Sequence, residues 1–243
     1  MSTKEQRLRD YIVSKAGELK RQPRKILEEM DYYCFNKEPL MNLGLRKGTF
    51  LTDKLKEHNV AVMAELGGYV GFSAILFAMA LPSNGKLYSF EINQEFANIA
   101  QEILQLAGLD HMVEIIVGPS HEKLVEIANN PDKAKSFDAV LIDHLKEVYV
   151  PDMRTLESLD LVREGCLVMA DNTVYPGAPE YLEYIRMTPA YKQKFIQSTP
   201  NPNGKEYPGR WDIIWKNEAV DFLIPIINIT DSIEISQFIK YVE

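Results

Sequence analysis

The chain predicts one α/β domain built on an open, mostly parallel seven-stranded sheet with an antiparallel hairpin at its edge. Three observations lead there. From Val60 onward, short apolar runs alternate with helix-length segments. The runs are nearly continuous in apolar residues, as strands buried on both faces require. The first of them is followed at once by three glycines in "ELGGYVGFSA", residues 65 to 74, the composition of a tight strand-to-helix turn. A length of 243 residues with 46% hydrophobic content is enough for one large core.

Taken in order, residues 1–58 read as a helical preface of the same domain, with helices in "RLRDYIVSKAGELK", "PRKILEEMDYYCF" and "TFLTDKLKEHN". Pro23 suits the first turn of the second. Residues 59–218 form the core. Its strands are "VAVMAEL", "KLYSFEI", "MVEIIVG", "FDAVLID" and "CLVMAD", separated by helix-length stretches. The spacing then predicts a hairpin from "KFIQST" and "WDIIWK", joined by the turn-rich "PNPNGKEYPG". Residues 219–243 read as a C-terminal appendix: "VDFLIPIINI", then a short helix capped by Asp231 with Glu234 three residues later.

Composition narrows the partners. With 35 acidic and 27 basic residues the net charge is −8, which argues against a nucleic-acid backbone as ligand and leaves a small molecule. The two cysteines, Cys34 and Cys166, have no paired spacing, so neither a disulfide framework nor a zinc site is indicated, and a reducing compartment fits. The start "MSTKEQRLRD" is charged, and the most apolar window, Val60 to Leu81, is interrupted by Glu65 and the three glycines. The expectation is a cytoplasmic protein with no membrane span.

In open parallel sheets, ligands bind outside the carboxyl ends of the strands, and the glycine turn falls there. It is not a dinucleotide fingerprint, because Tyr69 stands where G-x-G-x-x-G needs its second glycine. The next strand ends in "SFEIN", which places Glu91 where a carboxylate can accept from two ribose hydroxyls. Two later strands end in Asp143 and in Asp171 followed by Asn172. If these strands are neighbours, two carboxylates and an amide oxygen converge, a donor set suited to a hard cation such as Mg²⁺. Lys146, three residues after Asp143, is then a candidate base whose amine a nearby cation would help to keep neutral. His144, beside a candidate ligand, points away along the chain and is read as packing on the nucleoside.

Together, "MNLGLRKG", "ELGGYVGFSA", "EINQEFA", "AGLDHMVEIIVGPS", "LIDHLKEVYVPD" and "ADNTVYPGAPEYL" resemble the Mg²⁺-dependent, S-adenosylmethionine-dependent catechol O-methyltransferases. The likeness runs from about Lys37 to Trp215. It implies a Rossmann-like methyltransferase fold that transfers a methyl group to a hydroxyl of a catechol or related vicinal diphenol. It further implies that Met41, Leu43, Glu65, Gly67, Tyr69, Ser73, Glu91, Ile92, Ser120, His121, Asp143 and His144 surround S-adenosylmethionine. Mg²⁺ would sit on Asp143, Asp171 and Asn172, with Lys146 as general base and Pro176 walling the substrate pocket.

The departures concern the substrate. Pro39 and Leu145 occupy positions where the family has tryptophan, Phe72 replaces the tyrosine of the family's "GYS", and the glutamate that holds the second catechol hydroxyl has Glu206 as its nearest counterpart. A bulkier phenolic, such as a caffeoyl-type ester, is the alternative acceptor these changes admit. A cofactor-binding interaction protein without turnover is the other alternative, disfavoured by the intact Asp143, Lys146, Asp171 and Asn172.

Overall fold

The computed structural model describes residues 2–224 and 228–242, and the chain divides into two compact units, Met1–Pro119 and Ser120–Glu243. The first unit opens with four helices: α1 (Lys4–Ser14), α2 (Ala16–Leu19), α3 (Pro23–Asn36) and α4 (Leu45–Glu57). A capping box between Thr3 and Gln6 starts α1, and Pro23 starts α3 with its fixed φ and absent N–H at no loss of a helical bond. The stretch expected as one helix breaks at Lys15 into α1 and α2.

Three strands follow with their crossover helices: β1 (Val62–Leu66), α5 (Phe72–Ala80), β2 (Lys86–Glu91), α6 (Gln94–Ala107) and β3 (Val113–Val117). They pair in parallel in the order β3-β2-β1, with Glu65 opposite Ser89 and Glu91 opposite Val117. The α6 boundaries have local causes. Asn93 Oδ1 accepts from the N–H groups of Glu95 and Phe96 at 2.9 and 3.3 Å, and Gly108 ends the helix in the left-handed region.

The second unit holds α7 (Ser120–Asn129), β4 (Phe137–Ile142), α8 (Tyr149–Ser158), β5 (Val162–Ala170), α9 (Pro179–Arg186), α10 (Pro189–Ser198), β6 (Ile213–Ile224) and β7 (Ile229–Tyr241). β4 and β5 run parallel with Ile142 opposite Ala170, and β7 lies antiparallel between β5 and β6. Three strands in one unit and four in the other make the seven expected: β1, β2 and β3 pair in parallel, β4 pairs in parallel with β5, and β6 and β7 form an antiparallel hairpin.

The hairpin is not the one the sequence suggests. "KFIQST" belongs to helix α10, opened by Pro189. It turns Lys192 inward onto Glu157, Nζ to Oε1 2.6 Å, both side chains fully buried. "PNPNGKEYPG" is a loop fastened to α8: the Arg154 guanidinium donates to the carbonyls of Thr199 and Pro208, each at 2.8 Å. The observed hairpin pairs β6 with β7, so residues expected as an appendix are sheet strands. Asp231 and Glu234 imitate a helix start, but Ile229, Thr230, Ile233 and Ile235 are β-branched, and β7 is buried by strands on both sides. Residues 225–227 lie outside the described part of the chain.

Candidate active site

In the first unit the chemistry gathers around the glycine turn. Gly67 and Gly68 both donate to the carbonyl of Phe90, at 3.0 and 2.9 Å, so the turn is sewn onto the end of β2. That approach explains two glycines. A Cβ on Gly68 would sit 2.3 Å from Ser89 Oγ, and one on Gly71, whose φ is +87°, would press to 3.1 Å of Ala100 on α6. Tyr69, standing where a dinucleotide site has glycine, itself adopts a φ of +46°.

Glu91 closes this arrangement. Its Oε2 accepts the Tyr69 N–H at 2.7 Å and its Oε1 the Asn93 N–H at 2.8 Å, which fixes the carboxylate plane. The Tyr69 hydroxyl donates to Glu5 Oε1 at 2.6 Å and lies near the Met41 backbone. Burial, first, and Glu5, second, hold its phenol above the ordinary range. Ser73 is buried on the first turn of α5 and Leu43 is buried ahead of α4, whereas Met41 and Ile92 are largely exposed. Pro39 is fastened through its carbonyl, which accepts from Lys4 Nζ at 3.5 Å.

Glu65 is the strongest sign of an anion built for a ligand. It is fully buried; Ser89 Oγ donates to Oε2 at 2.7 Å, and Oε1 has no hydrogen-bond partner among the described residues. A buried carboxylate oxygen without a donor is destabilising, so the site fits a cationic group such as the ammonium of S-adenosylmethionine. Burial pushes the carboxyl from 4.5 up to about 7, the Ser73 and Ser89 hydroxyls pulling it back and Glu91 adding to the rise. Because the folded value lies above the unfolded one, the stabilisation is complete below about 4.5 and is lost as pH rises through 7. The span corresponds to at most roughly 3 kcal/mol. Denaturation of the ligand-free protein should therefore show falling stability from pH 4.5 to 8, and Glu65→Gln should flatten that slope.

In the second unit Asp143 follows β4 and Asp171 follows β5, and the Asp171 N–H donates to the Ile142 carbonyl at 3.0 Å. Lys146, in a single 3₁₀ turn over Lys146–Val148, reaches back across this edge. Its Nζ lies 3.6 Å from Asp143 Oδ1, donates to Asn172 Oδ1 at 3.2 Å, and donates to the Tyr149 hydroxyl. Tyr149, fully buried, donates in turn to the Asp171 carbonyl at 3.1 Å. One ammonium thus draws Asp143, Asn172 and the Asp171 strand end together. Burial pushes Lys146 below its ordinary value, while Asp143 and Asp171 pull it upward. Asn172 is itself left-handed, φ 57° and ψ 37°.

Among the described residues no three of His, Cys, Asp or Glu form a metal-holding group; here the third donor is an amide. Two carboxylates and an amide oxygen, all hard, fit Mg²⁺. The His144 ring is bonded to Asp152, Nε2 to Oδ2 2.8 Å, and stacks on Tyr149 at 5.2 Å. Leu145 is 65% exposed, and Pro176, following a cis peptide, is exposed with Val174 and Tyr175 in the turn Thr173–Gly177. Ser120 and His121 open α7. Glu206 is an exposed loop residue with no hydrogen bond to the Lys146 cluster among the described residues.

A family model described as O-methyltransferase matches residues 18–186. The chain belongs to the O-methyltransferase family. Curated relatives include the catechol O-methyltransferase of Mus musculus, 36% identical over 78% of this chain and 71% of that one, and that of Bos taurus, 36% identical over 76% and 67%. Among solved structures, the O-methyltransferase of Bacillus cereus in complex with SAH superposes with a TM-score of 0.63 at 20% identity, covering 89% of this chain and 90% of that one. The fold is therefore the Rossmann-like one common to O-methyltransferases. No helix among the described residues is long and apolar enough to cross a membrane.

Two residues of this O-methyltransferase site escape sequence reasoning. Tyr149 lies three residues beyond Lys146, so a 3.6-residue period could have placed it beside the lysine. Asp231, 59 residues from Asn172 and bonded to it, has no local signal at all.

Proposed function

We propose that the chain transfers a methyl group from S-adenosylmethionine to one hydroxyl of a catechol or similar vicinal diphenol held with Mg²⁺. The observation that carries this is Lys146, positioned by Asn172, Tyr149 and Asp143 beside a hard-oxygen donor set. Glu91 accepts from the ribose hydroxyls, Glu65 receives the cofactor's ammonium, and Gly67, Tyr69, Ser73, Met41, Leu43, Ile92, Ser120, His121, Asp143 and His144 complete the cofactor's surroundings. Asp143, Asp171 and Asn172 hold Mg²⁺, which when bound supplies the charge that favours the phenolate form of the acceptor. Lys146 takes the phenolic proton: burial favours its neutral amine, and its bonds to Asn172 and Tyr149 fix the lone pair's position. Pro39, Leu145 and Pro176 border the substrate. Two thiols outside any disulfide, Cys34 and the buried Cys166, suit a cytoplasmic setting.

The test is product identification across catechols and monophenols with S-adenosylmethionine as donor. Mono-methylated catechols with little product from monophenols is the expected result; NAD binding without S-adenosylmethionine binding would refute it.

An exposed Leu145, at a position where the family resemblance implies tryptophan, favours an open pocket that also accepts bulky ring substituents. An asymmetric catechol should then give both mono-methyl isomers, and Leu145→Trp should shift their ratio by about tenfold or more, the usual effect of one apolar wall. An unchanged ratio measured by chromatography would place the orienting wall elsewhere.

A further inference from the structure

An amide ligates a cation only through its oxygen, so a half-turn of the Asn172 side chain would present an NH₂ group and abolish the site. What prevents that half-turn lies on β7. Asp231 Oδ2 accepts from Asn172 Nδ2 at 2.9 Å. A carboxylate only accepts, so Nδ2 must face it and Oδ1 must face the opposite way, where Lys146 Nζ donates at 3.2 Å. The other oxygen, Oδ1, takes the N–H groups of Val174 and Tyr175, at 3.3 and 2.8 Å. One fully buried carboxylate therefore sets both the amide's orientation and the backbone of the turn that follows it. Asp231 also lies beyond the segment matched by the family model, which ends at residue 186.

We propose that Asp231 is a positioning residue of the metal site, selecting the ligating face of Asn172 and making the C-terminal strand part of the machinery. This rests on the Mg²⁺ reading above. Ligand-orienting partners of this kind usually change metal affinity by about 10- to 100-fold. An asparagine at 231 has one oxygen where the carboxylate has two; with that oxygen on the turn's N–H groups, its NH₂ faces Asn172 and turns that amide round.

The experiment is calorimetric titration of Mg²⁺ into the full chain with S-adenosylmethionine present. Asp231→Asn should weaken Mg²⁺ by about 10- to 100-fold while S-adenosylmethionine affinity stays within about threefold. The exchange Asn172→Asp with Asp231→Asn keeps the charge and again gives a donor facing an acceptor, with a free oxygen on the ligating side, so it should restore Mg²⁺ binding. Thr173→Val, which removes the 2.8 Å bond from Thr173 Oγ1 to the Ser232 carbonyl, disturbs the same contact with β7 without touching the amide and should leave Mg²⁺ affinity unchanged. Parent-like affinity in Asp231→Asn, an equal loss in Thr173→Val, or failure of the exchange to rescue would overturn the positioning role. A parent chain that binds no Mg²⁺ would instead overturn the metal reading, and this proposal with it.

Discussion

Asp171→Ala should abolish methylation of a catechol while S-adenosylmethionine binding changes by less than about threefold. The asymmetry follows from the assignments: Asp143 serves both the cofactor and the metal, whereas Asp171 serves only the metal. Outer partners of metal ligands already change affinity by about 10- to 100-fold, so removing one of three protein oxygens should weaken Mg²⁺ by at least about 100-fold. The fold should survive, because two backbone contacts of this residue, its N–H to Ile142 and its carbonyl to Tyr149, remain in the variant. Calorimetry with Mg²⁺ and with S-adenosylmethionine separates the two affinities. Parent-like Mg²⁺ affinity would contradict the ligand assignment, and retained turnover with lost metal binding would contradict the metal-dependent mechanism.

Lys146→Met should lower kcat by about 10²- to 10⁴-fold, the usual contribution of a positioned proton acceptor. Methionine preserves most of the stem that packs beside Tyr149 and removes only the ammonium. Cofactor affinity should be unaffected. Mg²⁺ affinity should hold or rise, since a positive charge 3.6 Å from Asp143 is gone. In the parent, the rise of kcat with pH reports loss of the Lys146 proton, at a pH below the ordinary lysine value because burial disfavours the charge. That rise should vanish in the variant. A pH profile identical to the parent's would assign the proton transfer to another group.

What the sequence disclosed and what it hid differ in kind. The strands β1 to β4 were legible within two residues at each end, because each is a mostly apolar run closed by a charged or turn residue: the glycines after Leu66, Glu91, Gly118, Asp143. Position at strand ends also made Glu91, Asp143, Asp171 and Asn172 readable, since side chains there are placed by topology rather than by distant packing. β7 was not legible. Its buried positions include Asp231, Ser232, Glu234 and Ser236 beside Ile233, Ile235 and Phe238, so polar residues interrupt the apolar signature of a buried strand. The acids are held by partners far along the chain. Glu234 takes the Arg186 guanidinium fork at 2.7 and 2.6 Å, and Asp231 takes Asn172. Such pairings are tertiary, and "TDSIE" alone imitates a helix cap. The same holds for α10, where the burial of Lys192 depends on Glu157.

The central claim is metal-dependent methyl transfer to a vicinal diphenol, and its most direct test is the initial rate on a simple catechol under three successive conditions. Mono-methylated product is followed with S-adenosylmethionine and Mg²⁺, after addition of excess chelator, and after Mg²⁺ is restored. Asp143, Asp171 and Asn172 as a reversible hard-cation site predict full loss on chelation and full recovery on restoration; an undiminished rate in excess chelator would contradict it.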